Sequence, residues 1–412
     1  MIQYSRTILD NGLTVLVHED RTTPMVAVNL LYKVGSKHDP CDKTGLAHLL
    51  EHMMFTGSSN APDFDTPMQL ASGENNAFTN KDITNYYELL PAENLKTALW
   101  LESDRMQDLV LSKDAFLTQQ SVVIEEFKET CLNQPYGMVW HHLLDLAYQV
   151  HPYQWPTIGI NEQHIQKIGL EDLKNYYTHY YTPNNAILTL GGNLSKDQSI
   201  ALAAEWFGDL DPMNPQTSET IVEPNQRAMR FKEVHEDVPV DVLFLAFHMP
   251  GRIHSTYYAA DFISDILGNG KSSRLYQKLV LDRKIFLSID AYVTGNTDPG
   301  LLIIEGKLAS GTTHEEAANS IWEELERLKS KEIESKELSK ILNQMLSAVA
   351  FSNTSLLNNV MNLSFFEYLG DANLVNSEPD VYGKVTPNEI QEVANSILQK
   401  ANCSQLNIKG NA

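Results

Sequence analysis

Between Asp209 and Asn225 the sequence fills with Pro, Ser, Thr and acidic residues and loses its apolar periodicity, and the same succession of strands and helices runs on either side of that break. Ahead of it, strand patterns at Thr14 to Val17 and Val26 to Val34 lead into a helical pattern from Thr44 to Phe55. Strand patterns at Asn76 to Thr79 and Thr84 to Leu90 follow, then helices from Glu93 to Leu109 and from an N-cap at Ser112 through Phe127, and a strand at Ile187 to Leu190. After the break come a strand at Asp241 to Phe247, a turn at Pro250-Gly251, a helix from Tyr257 to Leu267, and strands at Ser288 to Val293 and Leu301 to Leu308. Long amphipathic helices close each half. A duplicated order of this kind predicts an α+β chain of two domains, 1–215 and 216–412, one carrying chemistry and the other serving as lid or wall. The 412 residues suit two cores of about 200 residues better than one.

The candidate chemistry sits in the first helix. Leu46, Leu49, Leu50, Met53 and Met54 recur at helical spacing and define a buried face, interrupted by His48, Glu51 and His52. Histidines at i and i+4 lie one turn apart on one face, so both imidazoles can reach a single ion at ~2.0–2.1 Å. Glu51 stands beside them, placed to take a proton from water that a bound zinc has made acidic. His48-Leu49-Leu50-Glu51-His52 is the common zinc-peptidase motif in reverse order. The bland reading, chance occurrence of three residues in a five-residue pattern, is answered only by a third ligand, since a catalytic zinc takes three protein ligands and leaves one position open. The run Val122-Val123-Ile124-Glu125-Glu126 continues an apolar helix with two adjacent acids. A buried carboxylate needs a cationic partner, but periodicity leaves open which of the two it is.

Composition removes several other classes. A formal charge of −22 without a Lys/Arg cluster argues against nucleic acid as a partner. No segment approaches the ~18 apolar residues that a membrane-spanning helix needs. Cys41, Cys131 and Cys403 are too few and too far apart for a disulfide framework or a cysteine metal site, so they are expected as free thiols. The first residues pass straight into a strand pattern, and the expected compartment is the cytoplasm, or the periplasm or an organelle if a leader precedes the chain. Single histidines such as His151, His164, His179 and His248 are read as surface or packing residues.

These residues resemble the insulinase/pitrilysin peptidases, a family that includes mitochondrial processing peptidase, over almost the whole chain. The resemblance is carried by Gly45-Leu46-Ala47-His48-Leu49-Leu50-Glu51-His52-Met53, by Asn76-Ala77-Phe78-Thr79 and by Glu125-Glu126. Weaker echoes are His151-Pro152-Tyr153, Tyr181-Thr182-Pro183-Asn184-Asn185 and Ser273-Arg274-Leu275-Tyr276. It implies that Glu126 completes a site for one Zn2+ per chain with His48 and His52. It also implies that Asn76, Ala77 and Phe78 lie on an edge strand that pairs with a peptide backbone. The implied fold is two homologous domains, each a largely antiparallel sheet with helices packed on one side, together forming half of a clamshell. Relatives often carry an acid two helical turns before the third ligand, where this chain has Gln119.

Family members also commonly supply an Arg and a Tyr from the second half, in a stretch like Leu-Arg-Glu-x-x-Gly-Leu-Ala-Tyr. Here Leu279 to Ser288 puts Val280 and Leu287 at those places, with Arg283 as a substitute only if the register slips. The expectation is a zinc metallopeptidase acting on short or unfolded peptides, the metal-bearing subunit of a heterodimer whose homologous partner brings the missing pair. Two alternatives stand beside it: activity as a monomer or homodimer, and a non-catalytic assembly subunit that retains the fold.

Overall fold

A computed structural model of the chain describes residues 1–213 and 221–410. The break in periodicity from Asp209 to Asn225 is therefore described only in part, and residues 214–220, where the cut between 1–215 and 216–412 falls, lie outside the described residues.

The first sheet contains β1 (Ser5–Ile8), β2 (Thr14–Glu19), β3 (Met25–Tyr32), β4 (Glu74–Thr79), β5 (Thr84–Pro91) and β6 (Ala186–Gly192), in the order β1-β2-β6-β3-β5-β4. The second contains β7 (Arg230–Glu236), β8 (Val242–Met249), β9 (Phe286–Val293), β10 (Gly300–Leu308) and β11 (Cys403–Gly410), in the order β7-β11-β8-β10-β9. Without β1 the two orders superpose, and the one parallel pairing falls at the same place in each: β2 with β6, and β7 with β11. Two sheets with one topology and packed helices are the duplicated α+β fold that the element order predicts. β4 and β9 are matching edge strands.

Each sheet is covered on both faces, and the second cover comes from the other half of the chain. On β3, Val28, Leu30 and Tyr32 point one way and Asn29 and Leu31 the other, as strand alternation requires. The first set faces the helix Leu95–Gln107. The second set faces the helix Leu356–Tyr368, whose Leu363 and Phe366 share a core with Leu16, Leu31 and Ile187. Ser364 fixes that docking. Its hydroxyl accepts from Asn29 Nδ2 at 2.8 Å and donates to Thr189 Oγ1 at 2.7 Å, which satisfies polar groups buried in the sheet.

In the second sheet Leu243, Leu245 and Phe247 face the helices Tyr257–Gly268 and Pro387–Ile397. Val242, Phe244 and Ala246 face Leu143, Leu144 and Ala147 of the helix Val139–Ala147. The compact units are therefore Met1–Phe127 with Pro156–Thr220 and Val349–Glu378, and Lys128–Trp155 with Ile221–Ala348 and Pro379–Ala412. Contiguous halves 1–215 and 216–412 do not describe them, because each half lends a helix to the other's sheet. No described helix is long and apolar enough to cross a membrane, and Cys41, Cys131 and Cys403 are not joined in disulfides.

Candidate metal centre

The motif helix spans Leu46–Met53 and buries Leu46, Ala47, Leu49, Leu50 and Met53, leaving His48, Glu51 and His52 on its half-buried face. Its start is tightly specified. Gly45 has φ +95°, and a Cβ there would lie 2.7 Å from the Ile158 carbonyl oxygen. Gly159 has φ +105° and the reciprocal problem, 2.7 Å from the Thr44 carbonyl oxygen, so the two backbones can meet only through glycine. Asp39, from the preceding loop, caps the helix: its carboxylate accepts from the Gly45 N–H at 2.8 Å and the Ala47 N–H at 2.9 Å. Burial pushes the Asp39 carboxyl up to about 7, against the pull of those donors and of the Lys81 charge.

The helix Lys113–Phe127 brings up the third group. Ser112 caps it through Oγ, which accepts from the Ala115 N–H at 3.2 Å, as the sequence predicts. Glu125 is exposed, while Glu126 turns to the histidines. Its carboxylate oxygens lie 3.8 Å from His48 Nε2 and 3.4 Å from His52 Nε2. One donor atom from each of His48, His52 and Glu126 falls within 4.8 Å of the others, and the imidazole rings stand nearly perpendicular with centroids 4.8 Å apart.

Both separations are longer than a good charge-assisted hydrogen bond, about 2.7–2.9 Å. The 3.4 Å between His52 and Glu126 is that of two donors on one tetrahedral ion, since bonds of ~2.0–2.1 Å put ligand atoms about 3.4 Å apart, and the 3.8 Å from His48 is a few tenths wider. Two imidazole nitrogens and one carboxylate oxygen also form a suitable three-ligand set for zinc with one position left open. The residues present fit that metal.

Electrostatics agree with the arrangement. Burial holds the His48 imidazole neutral, down to about 4, despite the neighbouring Glu126 charge. For His52, burial works against the proton, but the hydrogen bond and charge of Glu126, the charge of Glu51 and a hydrogen bond with Gln119 prevail and raise it. The hydrogen bond from His52 and the charges of both histidines hold the Glu126 carboxyl below its ordinary value against burial. Gln119 thus pairs with His52 through its amide.

Glu51 is half-buried, and burial raises its carboxyl above the usual glutamate range even though Thr79 binds it. Thr79 approaches with its hydroxyl. It is the last residue of β4, an edge strand paired only with β5 among the described residues. Asn75, Ala77 and Thr79 are half-buried while Glu74, Asn76 and Phe78 are exposed. The Asn80 N–H donates inward to the Ile83 carbonyl at 2.9 Å, so by alternation the Ala77 and Thr79 backbone groups face the open edge. Asn76 Oδ1 accepts from the Ala77 N–H at 2.8 Å, and Phe78 is 39% exposed. The predicted segment Asn76 to Phe78 therefore stands next to the site. Thr79 and Asp39 did not emerge from sequence as site residues. Period-two alternation from Ala77 was the available signal for Thr79.

At the places of the expected Arg and Tyr, Val280 packs partly buried against the core of the second unit, and Leu287 is 58% exposed on β9. Arg283 is held by Glu323, Nη1 to carboxylate at 2.7 Å.

A duplicated α+β fold with an inverted histidine motif on its first helix defines a class of metallopeptidase-type proteins. Residues 14–160 match the family described as Insulinase (Peptidase family M16), and residues 167–345 match the Peptidase M16 inactive domain. The chain is 32% identical over 374 residues to the zinc protease PqqE of Helicobacter pylori, covering 89% of this chain and 83% of that one. It is 27% identical to the uncharacterized zinc protease YmxG of Bacillus subtilis, covering 84% of each. Among solved structures, a protease from Helicobacter pylori superposes with a TM-score of 0.94 at 28% identity, over 99% of this chain and 100% of that one. A peptidase M16 inactive domain from Pseudomonas fluorescens shares the fold, with a TM-score of 0.89 at 18% identity over 100% and 98% of the two chains. The chain belongs to the insulinase family of peptidases, M16.

Proposed function

We propose that this chain is a zinc endopeptidase for short or unfolded peptides, with His48, His52 and Glu126 as metal ligands and Glu51 as general base. The observation that carries the reading is the convergence of His48, His52 and Glu126 within 4.8 Å, with Glu51 on the same helix face. Zinc, when bound, supplies Lewis acidity that polarises the scissile carbonyl and makes water a better acid. The open edge of β4 binds the substrate backbone as an added strand, so affinity comes from main-chain hydrogen bonds with little demand on side chains. Glu51 takes the proton that water releases as its oxygen adds to the carbonyl carbon. It returns that proton to the amide nitrogen as the C–N bond breaks, leaving a carboxylic acid and an amine, which become carboxylate and ammonium when the acid passes its proton to the amine.

The chain acts as one subunit of a heterodimer. Val280 and Leu287 cannot donate hydrogen bonds to a substrate carbonyl, and Arg283 is committed to Glu323. A homologous partner supplies the Arg and Tyr as preorganised donors. The test measures bound zinc, then peptide hydrolysis by the chain alone and mixed with a homologous chain carrying the pair, with Glu51→Gln as control. The expected result is one zinc per chain, turnover only in the mixture, and a Glu51→Gln variant that keeps its metal and loses turnover. Full turnover by the chain alone would remove the partner, and equal rates for variant and parent would remove Glu51.

A further inference from the structure

The assignment of Glu51 as base leaves open what aims it. A glutamate has three rotatable side-chain bonds, and a base misplaced by ~1 Å loses on the order of 100-fold in rate. The motif helix fixes only the Glu51 Cα.

We infer that Thr79 is the positioning residue of Glu51, and that through it the strand that receives the peptide also aims the base. Thr79 reaches the Glu51 carboxylate with its side-chain hydroxyl, which donates to Oε2. A donor held on the rigid edge of a sheet fixes where that oxygen sits, which the motif helix alone does not. The hydroxyl is itself constrained. Thr84 Oγ1, fully buried, lies 3.3 Å from Thr79 Oγ1 and donates its own proton to the Val34 carbonyl at 3.0 Å. The Thr84 oxygen therefore has only lone pairs left for its neighbour, and the single Thr79 proton goes to the charged acceptor, Glu51. β-branching restricts Thr79 to few rotamers and holds the hydroxyl in that direction.

The place of Thr79 on β4 adds the coupling. The Ala77 and Thr79 backbone groups face the open edge, where the Ala77 carbonyl would pair with a substrate strand. A peptide seated on Ala77 thus lies along the same edge, two residues from the side chain whose hydroxyl holds Glu51. Ordering the edge by pairing also orders the base.

This inference rests on Glu51 being the base, and the experiment separates the two claims. Thr79→Val keeps shape and β-branching and removes the hydroxyl, whereas Thr79→Ser keeps the hydroxyl. With peptide substrate and the homologous partner present, Thr79→Val is expected to lower kcat 10- to 100-fold. KM, zinc affinity by chelator competition and the melting temperature should stay at parent values, and Thr79→Ser should recover most of kcat. Crystal structures give a readout independent of turnover: Glu51 in one conformer in the parent and in Thr79→Ser, and spread over several in Thr79→Val. The inference is overturned if Glu51→Gln is inactive while Thr79→Val turns over within about threefold of the parent and keeps Glu51 in one conformer. It is equally overturned if Thr79→Ser is as poor as Thr79→Val, or if Thr79→Val loses zinc or stability in proportion to rate. A Glu51→Gln variant as fast as the parent overturns the underlying reading instead.

Discussion

Glu126 owes its place to helix phase. Neighbouring residues on a helix point about 100° apart, so of two adjacent acids only one can share a face with groups across the way, and here the other stays exposed. Glu126→Gln keeps the shape and loses the charge. We expect it to weaken zinc at least as much as the ~10–100-fold typical of losing an outer partner, with the fold intact. Competition with a chelator of known affinity measures this, and parent-like affinity would take Glu126 out of the ligand set. Gln119 poses a finer question. Its amide pairs with His52, so the acid-to-amide change keeps an oxygen that can accept from the imidazole and orient it. Gln119→Leu removes that acceptor, and about tenfold weaker zinc is expected in the same assay. An unchanged value would mean that Glu126 alone orients His52.

At the scale of elements, the motif helix is only eight residues long, and isolated helices of that length do not hold in water. Its apolar face and its cap must therefore maintain it. Asp39→Ala leaves the Gly45 and Ala47 N–H groups buried without their acceptor, at an expected loss of about 1–3 kcal/mol in urea unfolding. A loss under a few tenths would assign the helix start to Gly45 and Gly159 alone. The two helices that carry His48, His52 and Glu126 are legible in sequence because their periodicity is strong and their polar interruptions are few. The cap is not, since Asp39 reaches forward across a loop and Gly45 occupies the position where a capping side chain is normally sought. β7 escaped notice because its strict alternation Arg230-Phe231-Lys232-Glu233-Val234-His235-Glu236 carries charge on both faces. β4 is legible as a strand, but its pairing geometry, which decides that Thr79 rather than Phe78 meets Glu51, exists only once β5 is beside it.

For the molecule as a whole, duplication could be read from element order, but the exchange of helices could not. Amphipathicity says that a helix buries one face and is silent about which sheet it covers. The exchanged segment Lys128–Trp155 is anchored in the second unit by two charged groups, Arg230 from beyond the break and Glu223 from its last residues. Arg230 donates to the Leu146 and Ala147 carbonyls at the C-terminal end of the helix Val139–Ala147, where a cation complements the helix dipole. The Glu223 carboxylate accepts from the backbone N–H groups of Gln149, Val150 and His151 at 2.8, 3.0 and 3.0 Å. Burial pushes the Glu223 carboxyl up, but the donors of Val150, His151 and Gln149 together outweigh it and hold it below the ordinary 4.5. The sign of the linkage follows. The unfolded chain takes up this proton at higher pH than the folded chain, so the stabilisation is complete above pH 4.5 and is lost as pH falls through the depressed folded value. Glu223→Gln replaces a charged triple acceptor with a neutral one that does not titrate, and about 2 kcal/mol should be lost at pH 7. Urea midpoints of parent and variant should then converge on acidification below pH 4.5, since protonation removes from the parent what the substitution removed from the variant. A difference that stays constant across that range would mean that Glu223 contributes shape rather than charge, and that packing of Leu143, Leu144 and Ala147 on the second sheet is what keeps the exchanged helix in place.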